Sequence, residues 1–214
     1  MMGFQKRDEP MKNLLSLGIK RAMDVTLSLL GLILCSPLMV LIAILIKKED
    51  RGPLLYRGVR IGRFGKPFYV MKFRSLVVDA ERRGGSSTAD DDPRITKIGR
   101  FIRKYKLDEF PQLLNVLRGE MSIVGPRPQV QWAVDLYTPE QRLLLTAKPG
   151  ISDFASIKFK NEAEILKGSK DPDKAYLEKI APEKIRLSLE YVKNRSFWVD
   201  IQIILKTIAE IFKK

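Results

Sequence analysis

The chain has 214 residues, with 39 Lys and Arg against 25 Asp and Glu, a formal net charge of +14, no histidine and a single cysteine. The missing histidine removes Ser-His and Cys-His catalysis and the usual neutral-pH base, and one cysteine excludes an intrachain disulfide or a thiol-rich metal site. The charge calls for an anionic partner (nucleic acid, acidic lipid or a phosphorylated substrate), and chemistry must run on carboxylates, Lys, Tyr, Ser or Thr, with a hard cation where one is needed.

Residues 11–24 read as a helix that leads into 25–46, a run of 22 uncharged residues interrupted by Ser36 and Pro37. The run meets the roughly 20 residues needed to cross a ~30 Å hydrocarbon core as one straight helix. Two features oppose a crossing. Pro37 has no N–H for the carbonyl of Ile33 and should break the helix. Lys6, Arg7, Lys12, Lys20 and Arg21 precede the run, and Lys47, Lys48, Arg51, Arg57, Arg60, Arg63 and Lys66 follow it. Basic residues hold their side of a membrane segment in the cytoplasm, and here both sides are basic. A re-entrant helix, broken at Ser36-Pro37 and returning to the leaflet it entered, meets both demands. No signal-peptide cleavage site is expected, because the apolar run starts late and is too long. The expected division is an interfacial segment over 1–24, the re-entrant helix over 25–46 and one catalytic domain over 47–214.

Downstream, residues 53–56 and 68–73 read as two short strands joined by the Gly/Pro-rich stretch 62–67. Lys72 and Arg74 share one face of the second strand by its period of two. Residues 80–92, with Gly84, Gly85, Ser86 and Ser87, predict a mobile loop. Helical spacing marks 96–105 through Ile98, Phe101, Ile102 and Tyr105, and 109–118 through Phe110, Leu113, Leu114 and Leu117, with Gly119 as the stop. Further helices are expected over 138–147 and 182–193. From Phe197 to the end, Trp198, Ile201, Ile204, Leu205 and Ile208 form an apolar stripe, with Lys206, Lys213 and Lys214 off it. Such a helix either packs on the core or lies in the membrane interface. The expected class is α+β, mostly helical: a compact cytoplasmic domain with a short β-hairpin.

Three places carry charge in patterns that suit phosphate chemistry. Asp108 and Glu109 stand at an expected helix start, followed by Pro111, where capping is the ordinary reading. The surrounding Arg100, Arg103, Lys104, Lys106 and Arg118 favour a second one. Two adjacent carboxylates could hold Mg²⁺, or one could hold it while the other attacks phosphorus. Arg127 lies between Pro126 and Pro128, on stiff extended backbone suited to bidentate phosphate binding. Asp90, Asp91 and Asp92 could bind a cation, although such runs are usually solvated loops.

These residues resemble the small monotopic phosphoglycosyl transferases, or bacterial sugar transferases, over about residues 20–207. The resemblance is densest in DPRITKIGRFIR, residues 92–103, and LDEFPQLLNVLRGEMSIVGPRP, residues 107–128. The family's Ser-Pro helix break is similar to Ser36-Pro37, and its Arg-x-Gly and Lys-Phe-Arg elements to residues 60–62 and 72–74. The resemblance implies transfer of a sugar 1-phosphate from a UDP-sugar to polyprenyl (undecaprenyl) phosphate, at the cytoplasmic face of the bacterial inner membrane. That step would begin exopolysaccharide, lipopolysaccharide or other glycoconjugate assembly. Asp108 would be the nucleophile that takes the phosphosugar and expels UMP, and Glu109 would bind Mg²⁺ beside it. Lys72, Arg74, Arg94 and Arg127 would hold phosphate and nucleotide. The chain is similar to the minimal form, without the multi-helix N-terminal region of large members. One departure stands out: Asp153 and Phe154 replace a glycine and a tryptophan of the common pattern, which bears on donor preference. A basic membrane-anchored binding protein without catalysis is the rival reading. A nucleic-acid partner is not expected, because no aromatic-interleaved basic platform is present. A hydrolase that releases the phosphosugar to water is a second rival.

Overall fold

In the computed structural model, residues 8–212 are described; Lys6, Arg7, Lys213 and Lys214 of the charge pattern lie outside them. The chain begins with one 43-residue helix, α1 (Asp8–Asp50), which takes in both the expected first helix and the whole apolar run. Helical conformation continues through Ser36 and Pro37, so the expected interruption is absent from the hydrogen-bonded backbone. The reason is local. Ser36 Oγ donates to the Ile33 carbonyl at 2.8 Å, satisfying the acceptor that Pro37 leaves open. The segment Leu17–Asp50 is long and apolar enough to span a bilayer, and only 11% of its most apolar stretch is buried.

Both halves of α1 are fastened to the rest of the protein. Near the start, Lys20 pairs with Asp200 at 2.6 Å, and Arg21 donates to the carbonyls of Val116 and Leu117 at 2.6 and 2.8 Å. Asp24, fully enclosed, accepts from Ser122 Oγ and the Ile123 amide at 3.0 and 2.9 Å. Near the end, Ile42 and Ile46 pack with Phe73 and Ile102, Glu49 accepts from the Lys97 amide at 2.7 Å, and Asp50 pairs with Arg74. Between these anchors Ile33, Leu34, Ser36, Pro37 and Val40 are exposed.

The hairpin is longer than its apolar pattern suggested. Strand β1 (Leu55–Ile61) pairs antiparallel with β2 (Pro67–Phe73), from Leu55 opposite Phe73 to Ile61 opposite Pro67. Arg57 and Arg60 both belong to β1, in which Arg57 and Val59 are exposed, Arg60 is half-buried, and Gly58 and Ile61 are buried. Helix α2 (Lys97–Lys104) starts at Thr96, whose hydroxyl accepts from the Gly99 amide. Helix α3 (Gln112–Arg118) ends at Gly119, in left-handed conformation at φ 79°. Asn115 at its centre is fully buried and completes the free edge of β2: its Oδ1 accepts from the Met71 amide at 2.9 Å and its Nδ2 donates to the Tyr69 carbonyl at 2.8 Å.

Several elements are absent from the sequence reading, two short strands and four short helices between residues 131 and 179 among them. Strand β3 (Ser122–Val124) pairs in parallel with β4 (Gly150–Ser152), each too short to show a period. Glycine is required where they pass: a Cβ on Gly125 would lie 2.3 Å from the Lys148 carbonyl oxygen. The remaining helices are α4 (Gln131–Asp135), α5 (Phe154–Lys158), α6 (Glu162–Ile165), α7 (Pro172–Lys179), α8 (Ala181–Asn194) and α9 (Phe197–Phe212). Residues 138–147 contain a 3₁₀ helix, Gln141–Thr146, in place of the expected α-helix.

Two expectations need amending. Residues 80–92 are fastened rather than left loose: Asp173 of α7 accepts from the Ser86 and Ser87 amides at 3.1 and 2.7 Å, and Ala89 packs with Leu166, Ala175 and Ile180. Helix α9 packs on the core with one side and leaves part of its apolar stripe exposed. Ile203 is buried with Val124 and Tyr191, while Trp198, Leu205 and Ile208 are exposed.

Candidate active site

Asp108 lies in the turn between α2 and α3. Lys106 reverses the chain in left-handed conformation at φ 57°, and Leu107–Glu109 form a single 3₁₀ turn. Pro111, not Asp108, precedes the first residue of α3, and Asp108 makes no capping hydrogen bond. Plain helix capping therefore does not account for it. Asp108 is 6% exposed. Burial raises its carboxyl above the ordinary range; Lys72 pulls it back and the like charge of Glu109 adds to the rise.

Glu109 sits in the opposite situation. Its Oε1 accepts from Lys72 Nζ at 2.7 Å and from Arg127, and its Oε2 accepts from Arg127 Nη1 at 3.2 Å. Burial pushes Glu109 up, but Arg127 and Lys72 overcome it and hold the carboxyl well below its usual range. Adjacent carboxylates are thus driven apart, one basic and one firmly ionised. Such a split separates roles in catalytic pairs. Three elements build the arrangement: β2 brings Lys72, the turn before α3 brings Asp108 and Glu109, and the Gly125–Pro128 stretch after β3 brings Arg127.

Further charges surround this group. Burial, and then Arg127, push Lys106 below the ordinary lysine range. Lys184 of α8 pairs with Glu162 of α6. Burial pushes Glu162 up, and Lys184 and Arg127 more than reverse it. Neither Glu162 nor Lys184 was marked by the sequence. They lie 35 and 57 residues beyond Arg127, and only the packing of α6 and α8 brings them near.

Two predicted phosphate binders are engaged with protein acceptors. Arg74 donates to Asp50 and to the carbonyls of Pro53 and Leu76. Arg94 forks onto Asp92 at 2.7–3.1 Å and donates to the carbonyls of Ala80 and Gly85 at 3.1 Å. Asp91 accepts from the Gly168 amide, and no group of three or more His, Cys, Asp or Glu converges among the described residues. Asp153 caps α5, accepting from the Ser156 amide at 2.6 Å and Ser188 Oγ at 3.0 Å.

A large cleft of about 950 Å³ is lined by Lys72, Arg103, Asp108 and Trp132, with Arg74 and Arg94 in its wall. A smaller concavity of about 230 Å³ has Arg127 in its wall. The arrangement suits attack by a buried carboxylate on a group carrying several phosphate charges.

Residues 15–214 match the family described as bacterial sugar transferase. The chain is 37% identical over 196 residues to the UDP-N-acetylgalactosamine-undecaprenyl-phosphate N-acetylgalactosaminephosphotransferase of Aeromonas hydrophila, covering 90% of this chain and 43% of that protein. It is 37% identical over 202 residues to the UDP-glucose:undecaprenyl-phosphate glucose-1-phosphate transferase of Escherichia coli, covering 91% and 40%. It thus spans about two fifths of the length of these two relatives. With the exopolysaccharide production protein ExoY of Sinorhizobium fredii it shares 35% identity over 207 residues, 90% of this chain and 84% of that protein.

Proposed function

Because the chain belongs to the bacterial sugar transferase family, we propose that it transfers a sugar 1-phosphate from a UDP-sugar to undecaprenyl phosphate by way of a phosphosugar bound to Asp108. One observation carries the mechanism: Asp108 is buried and its carboxyl raised, while Glu109 beside it is held ionised by Lys72 and Arg127. A raised carboxylate is the better nucleophile once ionised. An Asp108 oxygen attacks the sugar-bearing phosphorus, the bond from that phosphorus to the oxygen of the α-phosphate breaks, and UMP leaves with the electron pair. The phosphate oxygen of the polyprenyl acceptor then attacks the same phosphorus and frees the carboxylate.

Lys72 and Arg127 stay in place to balance the phosphate charge, and their pairing with Glu109 fixes both side chains before the donor arrives. The family resemblance implies Mg²⁺, and the donor set fits it. Mg²⁺ is commonly held by one or two carboxylates together with substrate phosphates. Asp108 lines the cleft and Glu109 adjoins it, and an ion held by them would neutralise diphosphate charge there. Arg74 and Arg94 act mainly through the walls they hold in place, since most of their guanidinium donors bond protein acceptors, and the second Nη2 N–H of each can meet phosphate in the cleft they line.

The same reading places the protein on the cytoplasmic face, with α1 re-entrant and residues 47–214 forming the catalytic domain. A straight helix from Lys20 to Asp50 would be about 45 Å long, enough to put its ends on opposite sides of a ~30 Å hydrocarbon core. Yet Lys20, Arg21 and Asp24 at one end and Glu49 and Asp50 at the other all bond to the residues that follow. Attachment of both ends to one folded body supports a segment that returns to the leaflet it entered over one that crosses. Exposed Trp198, Leu205 and Ile208 on α9 suit the interface beside it.

Release of UMP from a panel of UDP-sugars, with and without polyprenyl phosphate, tests the function. Acceptor-dependent turnover and a polyprenyl diphosphosugar product are expected. Sugar phosphate appearing at the same rate without acceptor would make the protein a hydrolase, and no UMP from any donor would leave a binding protein.

A further inference from the structure

A nucleotide sugar has two unlike ends on either side of its diphosphate, and the site has two unlike hollows. Asp108 lines the large cleft, Arg127 lines the small one, and Glu109, adjacent to the first and bonded to the second, joins them. At about 230 Å³ the small hollow falls below the ~300–1,000 Å³ of sites that enclose whole drug-sized ligands. It takes one ring system rather than a complete nucleotide sugar.

Its lining narrows the choice. Val134, Leu144 and Ile185 give apolar walls, and Gln129, Tyr137 and Tyr176 give uncharged polar groups, with the Gln129 amide and the Tyr176 hydroxyl bonded to each other. Lys184 and Asp153 also reach the hollow but are spent on Glu162 and on Ser156 and Ser188. Burial alone pushes the Tyr137 phenol up to about 12, and its hydroxyl has no hydrogen-bond partner among the described residues. A hexose carries hydroxyls around its whole rim and would leave several of them against apolar walls, at the cost of unpaired polar groups. A pyrimidine base has two apolar faces and a single edge of one N–H between two carbonyls, which matches this distribution.

Resting on the transferase reading above, we propose that the hollow receives the pyrimidine base of the nucleotide donor. Its faces lie against Val134, Leu144 and Ile185, its edge meets Tyr137 and Gln129, and its ribose and α-phosphate leave past Arg127 toward Asp108. The diphosphate and sugar then fall in the larger, cation-lined cleft.

Calorimetric titration of the full chain in detergent tests this with two probes: UMP, and ribose 5-phosphate, which lacks the base. Tyr137→Phe removes a hydroxyl that makes no bond in the free protein, so its melting temperature should be unchanged. UMP should bind it roughly five- to tenfold more weakly, the loss of one neutral hydrogen bond. Gln129→Leu should weaken UMP by a similar factor, and Ala133→Leu, which fills the hollow, by more. Ribose 5-phosphate should bind all three as it binds the wild type. UMP affinity unchanged in both Tyr137→Phe and Gln129→Leu, or an equal loss for ribose 5-phosphate, overturns the assignment while leaving the transferase reading intact. A wild type that neither binds UMP nor releases it from UDP-sugars removes both.

Discussion

Replacing Arg127 tests whether phosphate is gripped by a fork or merely attracted by a charge. Its guanidinium bonds both oxygens of Glu109, with Nη1 at 3.2 Å from Oε2, while Lys72 holds Oε1 at 2.7 Å. The Arg127 side chain is 31% exposed, so part of its field is screened by solvent. Losing one charge-assisted hydrogen bond to phosphate removes about 1.5–3 kcal/mol. Arg127→Ala should therefore lower kcat/KM by roughly 10- to 150-fold. Arg127→Lys keeps the charge but loses the planar fork that bonds both Glu109 oxygens while presenting further N–H groups to phosphate. Its expected loss, about 2–3 kcal/mol, is close to that of alanine. The assay is UMP release with saturating acceptor, at low and high ionic strength. A charge acting at long range would be restored by lysine and would make the wild type steeply salt-sensitive. Near-wild-type turnover in Arg127→Lys refutes the fork.

Asp108→Asn keeps the size of the side chain and removes the nucleophile, so turnover should fall by several powers of ten at ~1.36 kcal/mol per decade. Intact-mass spectrometry should find a phosphosugar adduct on the wild type incubated with donor alone and none on Asp108→Asn; residual near-normal turnover in the variant excludes the covalent route. The activity–pH profile should show an acid limb above the ordinary aspartate range, because Asp108 must be ionised to attack and burial raises it. Lys72 lowers the Asp108 value, so Lys72→Gln should move that limb to higher pH, and a shift the other way contradicts the electrostatic account. In a Cys35→Ala background, single cysteines at Lys12 and Lys66 should both resist a membrane-impermeant thiol reagent added outside intact cells. Labelling at one position but not the other means that α1 crosses.

Much of this site was legible because its signals are local. Asp108 and Glu109 adjoin, Arg127 is framed by prolines, and Lys72 sits on a strand whose alternation is visible. Their convergence was not legible, since it depends on Asn115 standing in for a strand against β2 and on the three-residue pairing of β3 with β4. Arg74 and Arg94 show what the sequence leaves open. A basic residue beside a phosphate site has the same sequence signature whether it meets substrate or a carboxylate 24 or two residues away. Pro37 makes the same point for the backbone. Its missing N–H is certain from the sequence, whereas the compensating Ser36 hydroxyl depends on a rotamer.

The long apolar helix is also the frame on which the reacting groups are hung. Arg21 holds the C-terminal carbonyls of α3, the helix that follows Asp108 and Glu109. Asp24 fixes the start of β3, which runs into Arg127. Ile42, Ile46 and Asp50 hold Phe73 and Arg74 at the end of β2, one and two residues beyond Lys72. Each of the three elements that meet at Glu109 therefore rests on α1. A lipid acceptor presents its phosphate at the membrane surface, so the groups that act on it must be set at a fixed depth relative to that surface. On the re-entrant reading proposed above, fastening α3, β3 and β2 to α1 sets that depth for all three together. A flexible linker between anchor and enzyme would leave the nucleophile to find the surface by diffusion, whereas in the proposed arrangement the apolar helix would also orient the chemistry.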